Sequence, residues 1–290
     1  MKSLNRSLLI GNGVNRLSNT SLSWEDILEG LVRENNFPKE SLRLIPNTIF
    51  FECIQLQSLS MSRASEAEAQ QRIAGMLAKI QPAEYHTRFI QTGVKHIFTT
   101  NYDYCLENTI NAQATSFGNE TRYSLFRRKE INGTTIWHIH GEIDHPQTIM
   151  LGFDHYAGCL QKMRKHLVGE RESDEEKMMA SLASRLTQPG TENPAWVEIF
   201  LRTDVDIIGL TLDFTEIDLW WLLGLKKMIG MAQNGIARET RYIHFSTETE
   251  SRETRARLEA LKLYGVGIVT IHVPNNHWGQ AYDEYLTKMI

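Results

Sequence analysis

The sequence predicts an α/β protein built on a doubly wound, mainly parallel β-sheet. Short apolar runs rich in β-branched residues alternate with stretches whose apolar residues recur at helical spacing. This alternation is typical of a parallel sheet covered by helices on both faces. Four of the apolar runs end abruptly, at Gly11, Asn101, His140 and Gly209. No flexible linker divides the chain, so we expect residues 1–290 to form a single domain.

The first predicted strand is residues 7–10, and two glycines follow it closely. Gly11 and Gly13 allow the backbone to turn tightly and to approach a phosphate. From Ser23 onward the apolar residues recur at helical spacing, and Ser23 with Asp26 resembles a capping pair. We therefore predict a helical insertion at about 20–90, between the first and second strands.

The second predicted strand is residues 97–100, with a helix expected to begin near Asp103. Residues 123–126 and 134–139 are predicted to pair as a hairpin because an Asn-Gly turn signal separates them. A further short strand is predicted at 149–152.

The C-terminal half is predicted to start with a second helical insertion at about 155–200, with a charged loop at its centre. After it, helices and strands alternate regularly. The predicted elements are a helix at 196–201, a strand at 206–208, a helix around 217–225, a strand at 242–245, a helix at 248–264, a strand at 268–273 and a helix at 280–289.

Composition and charge exclude several classes of protein. With a net charge of −4, the chain lacks the basic character of most nucleic-acid-binding domains. No apolar run approaches the ~20 residues of a membrane span, and the apolar part of the N-terminus is too short for a secretory signal. Cys53, Cys105 and Cys159 are widely spaced, which argues against a structural zinc site or a disulfide framework. We expect a cytoplasmic protein without a bound metal and without direct contact with nucleic acid or membrane.

The four polar or glycine endings predict a ligand site. In an open parallel sheet, ligands bind beyond the carboxyl ends of the strands, where the strand order reverses. Each ending also has an ordinary explanation, since glycines and polar residues commonly form turns after strands and His140 could be a structural histidine. One shared nucleotide pocket accounts for all four together. His138 lies within the predicted strand, two residues before His140, and we expect His138 to be a core or structural residue.

The sequence around this pocket does not match that of a dinucleotide-binding dehydrogenase. Its fingerprint requires a third glycine, where this chain has Arg16. It also requires an acidic residue after a second strand, where this chain has helix-like sequence. A role in hydride transfer is therefore disfavoured.

Taken together, the motifs resemble those of the sirtuin-like NAD-consuming domains, and most closely the bacterial branch that serves as effectors of antiphage defence. The resemblance implies a Rossmann-like fold and extends over about residues 7–275. The motifs that carry it are Gly11-Asn12-Gly13 with Asn15, Thr99-Thr100-Asn101-Tyr102-Asp103, His140-Gly141, and Gly209-Leu210-Thr211 with Asp218.

The resemblance implies a role for each residue. Asn101 would hold the nicotinamide ribose or the attacking water, and His140 would be the general base. Gly11 and Gly13 would contact the pyrophosphate of NAD, and Asp103 the carboxamide. Gly209 and Thr211 would lie on the adenosine side. The full set of expected NAD-binding residues is Gly11, Asn12, Gly13, Asn15, Thr100, Asp103, Gly209, Thr211 and Asp218.

The chain also departs from the deacylase sirtuins. Those proteins carry a four-cysteine zinc module after the His-Gly pair, where this chain has only Cys159, and a glutamine where it has Thr100. The departures favour an NAD glycohydrolase that releases nicotinamide and ADP-ribose and depletes cellular NAD during abortive infection. The alternatives are a non-catalytic sensor of NAD or ADP-ribose, and an NAD-dependent deacylase or ADP-ribosyltransferase.

An unrestrained NADase would harm its own host. We therefore expect a homo-oligomer, a partner defence protein or a nucleotide signal to control the activity, with the two helical insertions as contact surfaces.

Overall fold

The computed structural model describes residues 6–32, 44–60, 65–109, 114–118, 122–169, 175–188, 190–232 and 238–289. Within these ranges, eight strands form one sheet in the order β3-β4-β5-β2-β1-β6-β7-β8. Neighbouring strands from β5 to β8 in this order run parallel, whereas β3 and β4 are antiparallel additions at one edge. The strands are β1 (Arg6–Ile10), β2 (His96–Thr99), β3 (Thr115–Phe117), β4 (Arg128–Ile131), β5 (Thr134–His138), β6 (Asp204–Ile208), β7 (Thr240–Ser246) and β8 (Gly267–His272).

Helices cover both faces of the sheet, which confirms the predicted doubly wound α/β fold. In the described residues between β1 and β2 there are four helices, where we predicted a helical insertion. The helices are α1 (Trp24–Val32), α2 (Asn47–Ser60), α3 (Glu66–Leu77), α4 (Glu84–Gln91), α5 (Phe153–Val168), α6 (Glu175–Thr187), α7 (Trp196–Arg202), α8 (Ile217–Ala232), α9 (Arg252–Leu263) and α10 (Trp278–Met289). No helix in these described ranges is both long and apolar enough to cross a lipid bilayer.

The alternation of side chains along the central strands builds a core on each face of the sheet. In β1, Leu9 packs into the core formed with α5 to α9, while Leu8 and Ile10 pack into the core formed with α4 and α10. Successive residues of a strand point to opposite faces, so a fully apolar strand fits only where both faces are covered. A third cluster joins α1, α2 and α3 to Tyr102 and Leu151, beside the end of β2.

The order of the strands reverses at β1. From β1 the chain continues to β2 on one side and later returns to β6 on the other side. The gap between β1 and β6 is therefore the topological switch point of the sheet, where open α/β sheets bind their ligands.

The predicted hairpin is present, but its first strand lies elsewhere. Asn132 and Gly133 have φ of 49° and 79°, as a two-residue turn between strands requires, and they join β4 to β5. The strand predicted at 123–126 is wrong. Its backbone is engaged by α7, because the N–H and the indole of Trp196 donate to Leu125 O and Ser124 O.

Two further predictions are corrected. No α-helix begins near Asp103; in the described residues there is a short 3₁₀ helix at Glu107–Thr109. Residues 149–152 are buried but lie outside the sheet. Their backbone groups are paired individually, for example by Gln70 Nε2 with Ile149 O and by Leu151 N–H with His155 Nδ1, so no ladder forms. Most of the charged segment predicted as a loop, residues 170–174, lies outside the described ranges, and the edge strand β3 was not predicted.

Candidate functional site

The four predicted strand ends lie side by side on one edge of the sheet. Ile10 of β1 pairs with Thr99 of β2 and with Ile208 of β6, and Thr99 pairs with His138 of β5. The residues that follow these four positions lead directly into Gly11, Asn101, His140 and Gly209. The structure thus brings together segments that are far apart in the sequence.

At the switch point, the segments after β1 and β6 touch through their backbones. The N–H of Gly11 donates to Ile208 O at 3.0 Å, and the N–H of Gly13 donates to Gly209 O at 2.7 Å. A Cβ on Gly11 or Gly13 would lie 2.6 or 2.7 Å from Gly209 O. Gly209 itself has φ +64°, and a Cβ there would lie 2.7 Å from the hydroxyl of Tyr282. There is no room for a side chain at any of these three positions. Only backbone atoms are therefore present there, at the carboxyl ends of β1 and β6.

Asn15 connects the glycine segment to the end of β2. Its Nδ2 donates to Asp103 Oδ2 at 2.7 Å and to Asn12 Oδ1 at 3.0 Å. The other oxygen of Asp103 accepts from the N–H of Cys105 at 3.0 Å. Asn15 and Asp103 are both buried. Three of the predicted NAD-binding residues, Asn12, Asn15 and Asp103, therefore form one hydrogen-bonded unit.

Asn101 is anchored through both its backbone and its side chain. Its N–H donates to Thr99 Oγ1 at 3.1 Å, and its Nδ2 lies 3.4 Å from Gly11 O, a long hydrogen bond. His138 Nδ1 donates to Asn101 O at 2.7 Å, while His138 Nε2 contacts Glu107 at 2.8 Å. Burial lowers the pKa of His138, but Glu107 outweighs that effect and raises it overall. His138 is structural, as predicted, and what it supports is Asn101.

His140 lies beyond β5 and pairs with the first turn of α8. Its Nε2 is 3.0 Å from Asp218 Oδ2, both side chains are buried, and the ring of Tyr156 meets it edge-on at 5.2 Å. Burial alone would lower the pKa of His140. The charge and hydrogen bond of Asp218, helped by Glu216, outweigh burial and raise that pKa above its ordinary value of 6.5.

The glycine after His140 has a clear structural reason. Gly141 has φ +109°, and a Cβ there would lie 2.2 Å from Thr148 O. Only glycine tolerates this conformation and this approach. The resulting turn lets His140 O accept from the N–H of Met150 at 2.9 Å, which fixes the backbone of His140.

Glu216 is a component of the site that the sequence did not indicate. It is buried at the start of α8, and its Oε2 accepts from the N–H of Asp213 at 2.8 Å. Burial, partly offset by the charge of His140 and reinforced by that of Asp218, raises the pKa of Glu216 to about 7. The second oxygen of Asp218, Oδ1, is buried without a hydrogen-bond partner in the described part of the chain. Within this cluster, the carboxyl of Glu216 is therefore a group that can exchange a proton near neutral pH.

Two further predicted residues, Thr100 and Thr211, are less buried than His140. Thr100 is half-buried, and its N–H donates to Ile10 O at 3.3 Å. Thr211 is exposed in the segment that leads from β6 to α8. Asp218, predicted to bind NAD, contacts His140, and its role as an NAD-binding residue stays a prediction.

Sequence reasoning also missed His86 of α4, whose Nε2 lies 2.8 Å from Asn15 Oδ1. No motif marks Glu216 or His86, because each joins the site only through tertiary contacts. Asp213-x-x-Glu216, with Asp218 two residues later, was the one available signal that the start of α8 is rich in carboxylates.

The arrangement suits a ligand with phosphate groups and a reacting centre. Backbone freed of side chains at Gly11, Gly13 and Gly209 allows close approach of a pyrophosphate. The pair His140–Asp218 can take a proton, and the amide of Asn101 can orient a polar group. Among the residues described, no group of three or more His, Cys, Asp or Glu side chains is placed to hold a metal ion.

Comparison with known proteins finds a similarity to an NAD-binding family for part of the chain. No curated protein matches the sequence. The family model of the SIR2-like domain matches residues 95–187, about one third of the chain. SIR2-like domains bind NAD and are generally NAD-dependent enzymes. The segment that supplies Thr100, Asn101, Asp103 and His140 is therefore the part of the chain that is similar to the SIR2-like domain.

Proposed function

We propose that the protein is an NAD glycohydrolase, which cleaves the bond between nicotinamide and ribose to give nicotinamide and ADP-ribose. The observation that carries the proposal is the buried pair His140–Asp218 on the same sheet edge as Asn101 and the glycine segments. A base, an orienting amide and a place for a pyrophosphate are the groups that this reaction needs.

The chemistry explains why these groups suffice. Cleavage passes through an oxocarbenium-like state, as glycoside hydrolysis does. Nicotinamide leaves NAD from a cationic ring and becomes neutral, so its departure requires no general acid. Water must then be held and deprotonated beside the anomeric carbon. Positioned proton transfer of this kind is worth roughly 10²–10⁴-fold in rate.

The hydrogen bonds indicate how His140 would act. Its Nε2 is engaged by Asp218, and no described residue bonds the other ring nitrogen, Nδ1. Nδ1 would accept the proton from water or a ribose hydroxyl. Asp218 would stabilise the imidazolium that forms and keep the ring in the required tautomer. Asn101 cannot titrate, so its contribution is orientation of the ribose or the water.

Incubation of the purified chain with NAD, both alone and after co-expression with its genomic neighbours as the source of an activator, tests the proposal. Nicotinamide and ADP-ribose should appear in equal amounts, and chromatography would separate them from cyclic ADP-ribose. Binding of NAD without turnover, under all conditions including co-expression with genomic neighbours, would favour a sensor. Label from NAD on protein would indicate an ADP-ribosyltransferase, and loss of an acyl group from a peptide would indicate a deacylase.

We further propose that NAD depletion serves antiphage defence by abortive infection and that association controls it. The basis for the defence role is the sequence resemblance. Support for association comes from α2, where Ile49 and Leu56, seven residues apart on one helix face, are both exposed. Cellular NAD should fall on infection only when the chain and its activating partner or signal are both present. A monomer that is fully active alone would contradict control by association.

A further inference from the structure

His86 belongs to α4, in the helical insertion, yet its side chain reaches the site. It lies in the first turn of the helix, where its Nδ1 accepts from the N–H of Ala83 at 2.9 Å. Its Nε2 lies 2.8 Å from Oδ1 of Asn15, 71 residues earlier in the chain. The imidazole is buried and bridges a helix start to the glycine segment after β1.

The direction of every hydrogen bond along this chain of groups is fixed by its two ends. At one end, the N–H of Ala83 can only donate, so His86 Nδ1 accepts and Nε2 carries the proton. At the other end, the carboxylate of Asp103 can only accept. Asn15 must therefore present Oδ1 to His86 and Nδ2 to Asp103.

The alternative tautomer is disfavoured on the same grounds. It would place a proton on Nδ1 against the N–H of Ala83, and it would turn an oxygen of Asn15 toward the Asp103 carboxylate. Nδ1 also lies 3.2 Å from Ala83 O, but donation there would forfeit the shorter bond from the N–H. Burial, partly offset by the charge of Asp103, lowers the pKa of His86 and favours the neutral ring.

We propose that His86 is a positioning residue of the NAD site, which fixes the Asn15 amide and, through it, the carboxylate of Asp103. The inference rests on the proposed function, in which Asp103 contacts the carboxamide of nicotinamide. Because ADP-ribose lacks nicotinamide, its binding does not depend on this chain of hydrogen bonds. His86 thus selects for the intact dinucleotide without touching it.

A single variant separates this role from helix capping. In His86→Asn, the side-chain oxygen can still accept from Ala83 N–H, but nothing reaches Asn15. Calorimetry on the 290-residue chain carrying His140→Ala, which slows turnover, then gives the dissociation constants of NAD and ADP-ribose. His86→Asn should raise the dissociation constant of NAD about tenfold, which is the effect of one lost buried hydrogen bond. The dissociation constant of ADP-ribose should stay within about twofold of its value without this substitution.

His155 offers a matched control. It occupies the equivalent turn of α5, and its Nδ1 accepts from the N–H groups of Leu151 and Gly152 at 2.9 and 3.3 Å. Its Nε2 faces Glu66 on α3, not Asn15. His155→Asn should therefore leave the dissociation constants of both ligands unchanged.

A double-variant cycle tests the route through Asn15. If His86 acts only through that residue, adding His86→Asn to Asn15→Ala should weaken NAD binding no further. Additive losses would overturn the inference, as would an equal loss for NAD and ADP-ribose or no loss for either. If the chain with intact His86 and Asn15 binds neither ligand, the proposed function itself fails, which is a distinguishable result.

Discussion

His140 Nε2 and Asp218 Oδ2 lie 3.0 Å apart although 78 residues separate them in the sequence. The pair joins the end of β5 to the start of α8, across the sheet edge on which Asn101 and the glycine segments also lie. Its two members come from inside and outside the segment that matches the SIR2-like domain. The catalytic behaviour proposed for this edge therefore depends on contacts between the two parts of the chain.

Replacement of either proposed catalytic residue should strongly reduce turnover. His140→Ala removes the base, and NAD cleavage should fall by roughly 10²–10⁴-fold. Asn101→Ala removes the orienting amide, and we expect a loss on the order of 10²-fold. The rate of nicotinamide release measures the loss of activity in both variants.

A histidine outside the site provides the control for these variants. His166 on α5 is half-buried and contacts Glu198 at 3.3 Å. His166→Ala should retain cleavage, and circular dichroism should show all three variants folded. Full activity in His140→Ala would contradict the proposed base.

The pH dependence of cleavage should show an acid limb set by His140. A base must be neutral to accept a proton, and the pKa of His140 is raised above 6.5. Activity should therefore rise with pH, with a midpoint above 6.5, and be lost as pH falls below it. The measurement is kcat/KM for NAD between about pH 5 and 9.

Asp218→Asn should displace that limb toward lower pH. The substitution removes the charge that raises the pKa of His140, whereas burial, which lowers the pKa, remains. The maximal rate should also fall, because the imidazolium loses its partner. An acid limb at an unchanged pH would show that His140 is not the titrating base.

Glu216 should make the folded state less stable as pH rises. The pKa of its carboxyl is raised from 4.5 to about 7 in the folded state. The stabilisation of the folded state by this group is therefore fully present below pH 4.5. It is lost as pH rises through 7. In Glu216→Gln the amide oxygen can still accept from Asp213 N–H, and no charge has to be buried.

Urea unfolding at pH 5 and pH 8 tests this expectation. The wild-type chain should lose more stability between the two pH values than Glu216→Gln, by roughly 1–3 kcal/mol. Equal losses would mean that Glu216 ionises in the folded state as easily as in the unfolded chain.

Gly209→Ala should disrupt both the fold at the switch point and NAD binding. The residue has φ +64°, and the new methyl group would meet the Tyr282 hydroxyl at 2.7 Å. The conformation alone costs about 1–2 kcal/mol. Gly75→Ala is the matched control, because Gly75 lies inside α3 with nothing within 4 Å of a Cβ. The free energy of unfolding of Gly75→Ala, measured by heat or urea, should be up to about 1 kcal/mol higher than that of the wild-type chain.

The fold, and the meeting of the four strand ends at one edge of the sheet, could be predicted from the sequence to a useful extent. The strands ending near Gly11, Asn101 and Gly209 are buried on both faces, so continuous apolar runs reveal them. Residues 149–152 show the same apolar character but lie outside the sheet. Their hydrogen bonds go to side chains such as Gln70 and His155, which no local pattern reveals.

The network around the predicted site residues could not be derived from local signals. His86 and Glu216 reach the site from helix starts, and both act through neighbours distant in sequence. The predicted helix near Asp103 failed for a similar reason. The carboxylate of Asp103 accepts hydrogen bonds from Asn15 Nδ2 and from the N–H of Cys105, which are contacts of a turn and not of a helix.

The pairing of β1 with β6 has a consequence for how the molecule acquires its site. Arg6 and Asp206, which pair at 2.6 Å near the start of these strands, are 200 residues apart in the chain. Contacts of such long range form late and slowly, because a long loop must close first. During synthesis, Gly11 and Gly13 would emerge from the ribosome long before Gly209, their backbone neighbour, exists. A nascent chain would thus lack a complete candidate site, and the proposed NAD cleavage could begin only after β6 has joined the sheet.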